Sequence, residues 1–377
     1  MKKQFVLLLV SSVTTGMIVA QSLAQSAKPV TINFYSSGDV NVKNLWEASL
    51  FPLYQKQNPN VQFNLIFSQA GAGNQAMIDR MAAAKKSGQA SGIDILEGAV
   101  SEAADAGLLE PVDTKKVFRM NRVEANVAAR LKGFGVPYRG SSVVLAYDSS
   151  KVAKPPQTLE ALLAWIQKNP GQFTYNTPDT GGSGNAFVTR VLKLGIDDKS
   201  ANTFETDYDA ALVTQWEKGF ETLKTISKSL YNGGQNSKNN AETLQLLAKG
   251  AITMGPVWSD QGLSALKNGS LPENIKLMQI KPPFSGGSSY LGVAADSPSK
   301  TEAFKFLNWL LSDEPQSIVT DKMNGYPGVK IAFMPDDVRK KFGPFAKSFS
   351  FGFSSKFGAD MNRLWYEKVA GTPQPQR

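Results

Sequence analysis

The feature that most constrains this chain is a recurring order of short apolar strand, small-residue turn and amphipathic helix. Val30-Thr31-Ile32-Asn33-Phe34-Tyr35 is β-branched and aromatic, which suits a pleated, half-buried segment. Ser36-Ser37-Gly38-Asp39 follows as a turn. Residues 41–57 then place Leu45, Trp46, Leu50, Leu53 and Tyr54 on or near one face of a helix. Asn58-Pro59-Asn60 stops that helix, and residues 61–67 read as a second strand. Gly71-Ala72-Gly73-Asn74 leads into a helix over 75–86. Ile93-Asp94-Ile95-Leu96 is a third strand, with Glu97-Gly98 at its C-terminal end. Alternation of this kind predicts an α/β protein with a largely parallel sheet.

The second half continues the pattern. Gly135-Val136-Pro137-Tyr138 precedes a buried-looking strand over 143–148, and Lys154-Pro155-Pro156 breaks the chain before a helix that starts at Thr158. Phe173-Thr174-Tyr175 reads as a strand. The glycine-rich loop 178–185 opens a helix over 186–194. Residues 251–254 form a strand that ends at Gly255-Pro256-Val257-Trp258-Ser259-Asp260, and 275–280 form another. A length of 377 residues fits two packed domains. The aromatic-rich tail, with Phe342, Phe345, Phe349, Phe351, Phe353, Phe357, Trp365 and Tyr366, is expected to pack on the first of them.

Composition then removes whole classes of chemistry. The chain has no Cys and no His. It can build no disulfide, no Cys nucleophile, no imidazole base and no Cys/His zinc site. The formal charge of +9 is spread along the chain without a long Lys/Arg run, which reads as a solvated basic surface rather than a nucleic-acid site. The N-terminus has a basic start (Met1-Lys2-Lys3-Gln4), an apolar stretch, and Ser22-Leu23-Ala24 with small residues at the positions a signal peptidase reads. These predict a Sec-type signal peptide over residues 1–24, cleaved after Ala24, and a soluble exported protein. Removal of Lys2 and Lys3 takes the charge to 9 − 2 = +7. With no Cys behind the signal, lipoprotein-type attachment is excluded.

Taken in order, these landmarks resemble the extracellular solute-binding proteins of bacterial ABC importers, family 1. The resemblance runs over nearly the whole mature chain. It is carried by Ser36-Ser37-Gly38-Asp39, by Ala103-Ala104-Asp105-Ala106-Gly107-Leu108-Leu109-Glu110-Pro111, and by Gly135 through Asp148. Further along it is carried by Leu247 through Met254, by Tyr290-Leu291-Gly292-Val293 with the helix from Lys300 to Leu311, and by Asn324-Gly325-Tyr326-Pro327-Gly328. Within the family the chain is most similar to a thiamine-type transport binding group, on Val136-Pro137-Tyr138 to Asp148, Pro155-Pro156 and Phe173-Thr174-Tyr175. The resemblance implies the type II periplasmic-binding-protein fold. Each of its two α/β lobes is a mixed, mainly parallel sheet flanked by helices, and crossovers form a hinge. Residues 28–141 with 288–377 would make the N-lobe and C-terminal helices, and 142–285 the second lobe. A small molecule would bind in the cleft, and closure would present the monomeric protein to an inner-membrane permease, with no enzyme activity, cofactor, metal or nucleic acid involved.

Open α/β sheets bind ligands beyond the C-terminal ends of their strands, near helix N-termini. That rule selects the candidate ligand contacts. Ser36, Ser37 and Asp39 follow the first strand, where backbone N–H groups can hold an anion and Asp39 can accept from a cation; helix capping is the alternative role. Glu97, at the end of the third strand, would face the cleft and suit an ammonium or amidine. Ser183 and Asn185 stand in the glycine-rich loop, which could cradle a phosphate or carboxylate but lacks the Gly-Lys-Ser/Thr of a nucleotide loop. Trp258 with Asp260 would suit a ring-bearing cation. Tyr138, Tyr290 and Tyr326 fall near the crossovers. Thiamine or its phosphate would use the aromatic, acidic and Gly/Ser features together. The competing classes are an exported carboxylate-based hydrolase or lyase, and a two-lobe sensor module.

Overall fold

The computed structural model describes residues 28–38, 40–69, 73–180, 182–197, 199–346 and 349–375. The expected signal peptide and Asp39 lie outside the described residues. In chain order the strands are β1 (Val30–Gly38), β2 (Val61–Gln69), β3 (Ile95–Glu97), β4 (Leu109–Glu110), β5 (Val136–Asp148), β6 (Met254–Trp258), β7 (Ile275–Met278), β8 (Gly286–Ala294) and β9 (Tyr326–Pro327). They join in a mixed sheet of order β2-β1-β3-β8-β5-β6, with β4 paired to β8 and β7 and β9 to β5. β1 pairs in parallel with β2 and β3, while β8 runs antiparallel to β3 and β5.

The alternation of side chains along single strands divides the interior into separate cores. On β1, Ile32 and Phe34 join one cluster with Trp46, Phe51 and Phe306, while Tyr35 turns to the opposite face with Met77, Met81 and Leu96. Helices therefore cover both faces of this first lobe. On β5, Val143 and Leu145 join a cluster with Phe173, Phe187 and Trp216, while Val144 and Ala146 face Leu247, Ile252 and Ile275. This is the second lobe.

β5 is the main connection between the two. The sequence predicts a strand only over 143–148, after a Pro-containing crossover, yet the 13 residues from Val136 form one strand. Its first half pairs with β8 and its second half with β6 and β7. β8 returns the chain to the first lobe. The tail makes a third crossing. Phe349 packs against the first core, whereas Phe357, Met361, Trp365 and Tyr366 are buried in the second, beside Phe204 and Trp216. The expected packing of the tail on the N-lobe is thus corrected for its final helix. Aromatic density marks a segment for burial but does not select which apolar surface receives it. The Phe173–Tyr175 segment contributes only an isolated bridge, Phe173 to Met254, rather than a strand.

Candidate functional site

A chain of polar side chains runs across the hinge, and it begins inside the first lobe. β3 is only three residues long and is flanked by β1 and β8, so the side chain at its C-terminal end is enclosed. Glu97 is 3% exposed. Its Oε2 accepts from Ser36 Oγ at 2.5 Å and from Trp46 Nε1 at 2.8 Å, and its Oε1 accepts from the Tyr138 hydroxyl. Tyr138 can reach this carboxylate because the β5–β8 register shifts between Pro137 and Arg139, a bulge that breaks strict side-chain alternation. The same bulge brings Arg139 alongside, and its Nε donates to the Tyr138 hydroxyl at 2.8 Å.

Further along β5 the second lobe takes over. Ser141 Oγ donates to Asp260 Oδ1 at 2.8 Å, and Ser142 Oγ lies 2.5 Å from the Tyr326 hydroxyl. Burial raises the pKa of both Glu97 and Asp260, and the positive charge of Arg139 only partly offsets it. Tyr138 is pushed well above its ordinary value, first by burial. Burial opposes the charge of Arg139 as well, but Tyr138, Glu97 and Asp260 around it more than compensate, so it stays protonated. One cation on a crossover strand therefore sits between a carboxylate of each lobe.

This geometry corrects several expectations. Glu97 and Ser36 are enclosed and bonded to each other, so they support the hinge from inside rather than line a cleft surface. Ser183 is also fully buried. Its Oγ lies 2.6 Å from Oδ1 of both Asn176 and Asn240, and Gly184 N donates to Asn176 Oδ1 at 2.7 Å. Distant Asn side chains thus cap the first turn of the helix Ser183–Leu192, and the loop is no open phosphate cradle. Asn185 is half-buried and accepts from Thr189 Oγ1 at 3.4 Å. Tyr290 donates to the Val127 carbonyl at 2.9 Å and packs in the Tyr35 cluster, on the other face of the sheet from Tyr138.

Other candidates keep partly exposed positions. Gly182 takes a left-handed φ of +67°, and a Cβ there would stand 2.5 Å from the Trp258 ring, so the indole lies directly against the loop backbone. A Cβ on Gly98 would meet Ser37 Oγ at 2.2 Å and Asn74 Oδ1 at 3.1 Å, which puts these three residues together at the ends of β1 and β3. Asn74 belongs to Gly71-Ala72-Gly73-Asn74, which the sequence offers either as a place for a ligand to approach the backbone or as a plain turn; Arg139 is not singled out by the sequence, and nothing local marks it.

Two cavities adjoin the hinge. One of about 420 Å³ is lined by Gly140, Ser288, Tyr326 and Phe349. A larger one, of about 740 Å³, lies between Ala104, Arg130 and Phe134 of the first lobe and Glu205, Tyr208 and Phe353 of the second. Among the described residues no group of three or more carboxylates could hold a metal ion, and no helix is long and apolar enough to cross a membrane.

Comparison with known proteins adds three kinds of finding. Residues 51–341 match the family model described as bacterial extracellular solute-binding protein. The protein YnjB of Escherichia coli K12 is 23% identical over 199 residues; the match spans 52% of this chain and half the length of that relative. The spermidine/putrescine ABC transporter substrate-binding protein PotD of Streptococcus pneumoniae superposes with a TM-score of 0.64 at 14% identity, over 89% of this chain and 98% of PotD. Iron-bound HitA of Pseudomonas aeruginosa superposes with a TM-score of 0.64 at 18% identity, over 89% of this chain and 99% of HitA.

Proposed function

Because the chain belongs to the bacterial extracellular solute-binding family, we propose that it captures a small polar solute between its two lobes and delivers it to an ABC importer from the periplasm. The observation that carries this reading is the connection of the lobes. Three crossings join them, two of these being the strands β5 and β8, and a cavity of about 740 Å³ is lined from both. A ligand touching both lobes stabilises the closed arrangement by its differential affinity for it, which is what a permease can recognise.

Ser37, Asn74 and Gly98 of the first lobe, with Trp258, Asp260 and the Gly182 backbone of the second, form the opposing edges of the cleft. Arg139 is the charged group at its hinge. The thiamine-type reading draws on acidic groups that would meet a cation. Glu97 is occupied by three donors, and Asp260 accepts from Ser141 beside the charge of Arg139, so these acids lend that reading little. PotD and HitA, by their names, take polyamines and iron on the same fold, so fold does not choose the solute.

The test is a thermal-shift screen of ligand-stripped mature protein against vitamins, polyamines, sugars, amino acids, phosphate esters and ferric ion, followed by small-angle scattering of each hit. A hit raises the melting temperature by mass action and reduces the radius of gyration. A screen in which no solute does both overturns the proposal.

A further inference from the structure

We propose that the 740 Å³ interlobe cavity beside Arg130 seats an organic anion, a compound carrying a carboxylate or phosphate on a flat apolar body. The inference rests on the solute-binding reading and concerns an interlobe wall that does not include the cleft edges named above.

Arg130 is the first observation. Its guanidinium lies over the Phe351 ring, 4.7 Å from the centroid, and among the described residues no carboxylate or carbonyl receives its side-chain N–H groups. A guanidinium held over a ring without an acidic partner keeps its N–H groups available to a ligand. That is the arrangement for a forked pair of hydrogen bonds to a carboxylate or phosphate.

The surrounding charge is the second. Lys193 stands behind the same wall, with Nζ 2.7 Å from Glu205 and 3.0 Å from the Phe351 carbonyl. Burial lowers its pKa, and Arg190 and Arg130 lower it further by like-charge repulsion. Arg190 has a buried Nε with no hydrogen-bond partner. Arg130, Lys132 and Lys356 line the cavity together with Asp105, Glu205 and Asp207, and Glu205 is already paired with Lys193. An incoming anion would meet the Arg130 guanidinium, which among the described residues no carboxylate pairs, whereas a cation would meet it as a like charge. Phe134, Tyr208, Phe351 and Phe353 supply the apolar faces, and Tyr208 is 40% exposed.

Calorimetric titration of ligand-stripped mature protein with phenyl phosphate, 4-hydroxybenzoate and thiamine monophosphate tests the proposal, with benzyl alcohol and thiamine as the uncharged and cationic counterparts. At least one anion is expected to bind, and to bind more weakly at high salt. Arg130→Ala is expected to weaken it at least tenfold, and Arg130→Lys to restore part of the loss; circular dichroism verifies that both variants are folded. Binding of an anion that Arg130→Ala leaves unchanged overturns the site. Binding of only the neutral or cationic compounds, with a fall in radius of gyration, overturns the ligand class and leaves the solute-binding reading standing. If no panel anion binds, the ligand class is overturned, and the broader solute screen decides the parent reading separately.

Discussion

Glu97 shows how far a residue's role depends on what surrounds it. Three donors, from Ser36, Trp46 and Tyr138, converge on one carboxylate that is sealed from solvent. Glu97→Ala strips all three of their acceptor, and we expect a loss of about 3 kcal/mol in urea unfolding. The pH dependence follows from the raised pKa. Between the ordinary carboxylate value and the raised one, the folded chain holds a proton that the unfolded chain has released. Stability is therefore higher below that window and falls as pH rises through it. Glu97→Gln is expected to flatten the fall, measured by urea midpoints from about pH 4 to about pH 8. Asp260, raised for the same reason, contributes with the same sign, so part of the slope should remain. An unchanged slope in the Gln variant would show that Glu97 titrates normally. In the sequence, Glu97 was visible as a carboxylate at a strand end, but its enclosure was not, because Trp46 and Tyr138 reach it from 51 and 41 residues away.

Elements were more legible than contacts. The helix expected over 75–86 is Asn74–Ser87, and Thr158 caps the helix Leu159–Lys168 by accepting from Ala161 N. Both are read from local periodicity and capping chemistry. The sequence places a strand over 143–148 alone, whereas β5 starts at Val136 and seats Pro137 opposite Tyr290 in the ladder, next to a bulge. The loop that opens the helix Ser183–Leu192 is glycine-rich, and the structure gives Gly182 and Gly184 different reasons: a left-handed φ at Gly182 and close packing at Gly184. A Cβ at Gly184 would lie 1.7 Å from the Asn176 carbonyl. Gly184→Ala must therefore separate that helix from the 173–176 segment, at an expected cost of about 3 kcal/mol. The check is the thermal midpoint; a shift within error would mean that the segment yields freely.

The whole molecule is held together by chain that leaves a lobe and returns. The final helix places Phe357, Met361, Trp365 and Tyr366 in the second core. Deleting residues 351–377 is expected to unfold the second lobe, because each large side chain removed costs roughly 3–5 kcal/mol and domains hold only about 5–15 kcal/mol in total. Hydrogen exchange should then show lost protection across 159–192 with β1 and β2 still protected; retained protection in both regions would contradict the packing. At this scale the sequence by itself determined the α/β class, the alternation of elements and the absence of Cys and His chemistry. These follow from local periodicity and from composition, which are written residue by residue. Only the tertiary structure decided that Glu97 is enclosed, that Arg139 stands between acids of two lobes, that Arg130 borders a cavity, and that the tail belongs to the second core. Each of these depends on chain segments far apart in sequence, and neither burial nor hydrogen-bond partnership across such distances leaves a local periodic trace.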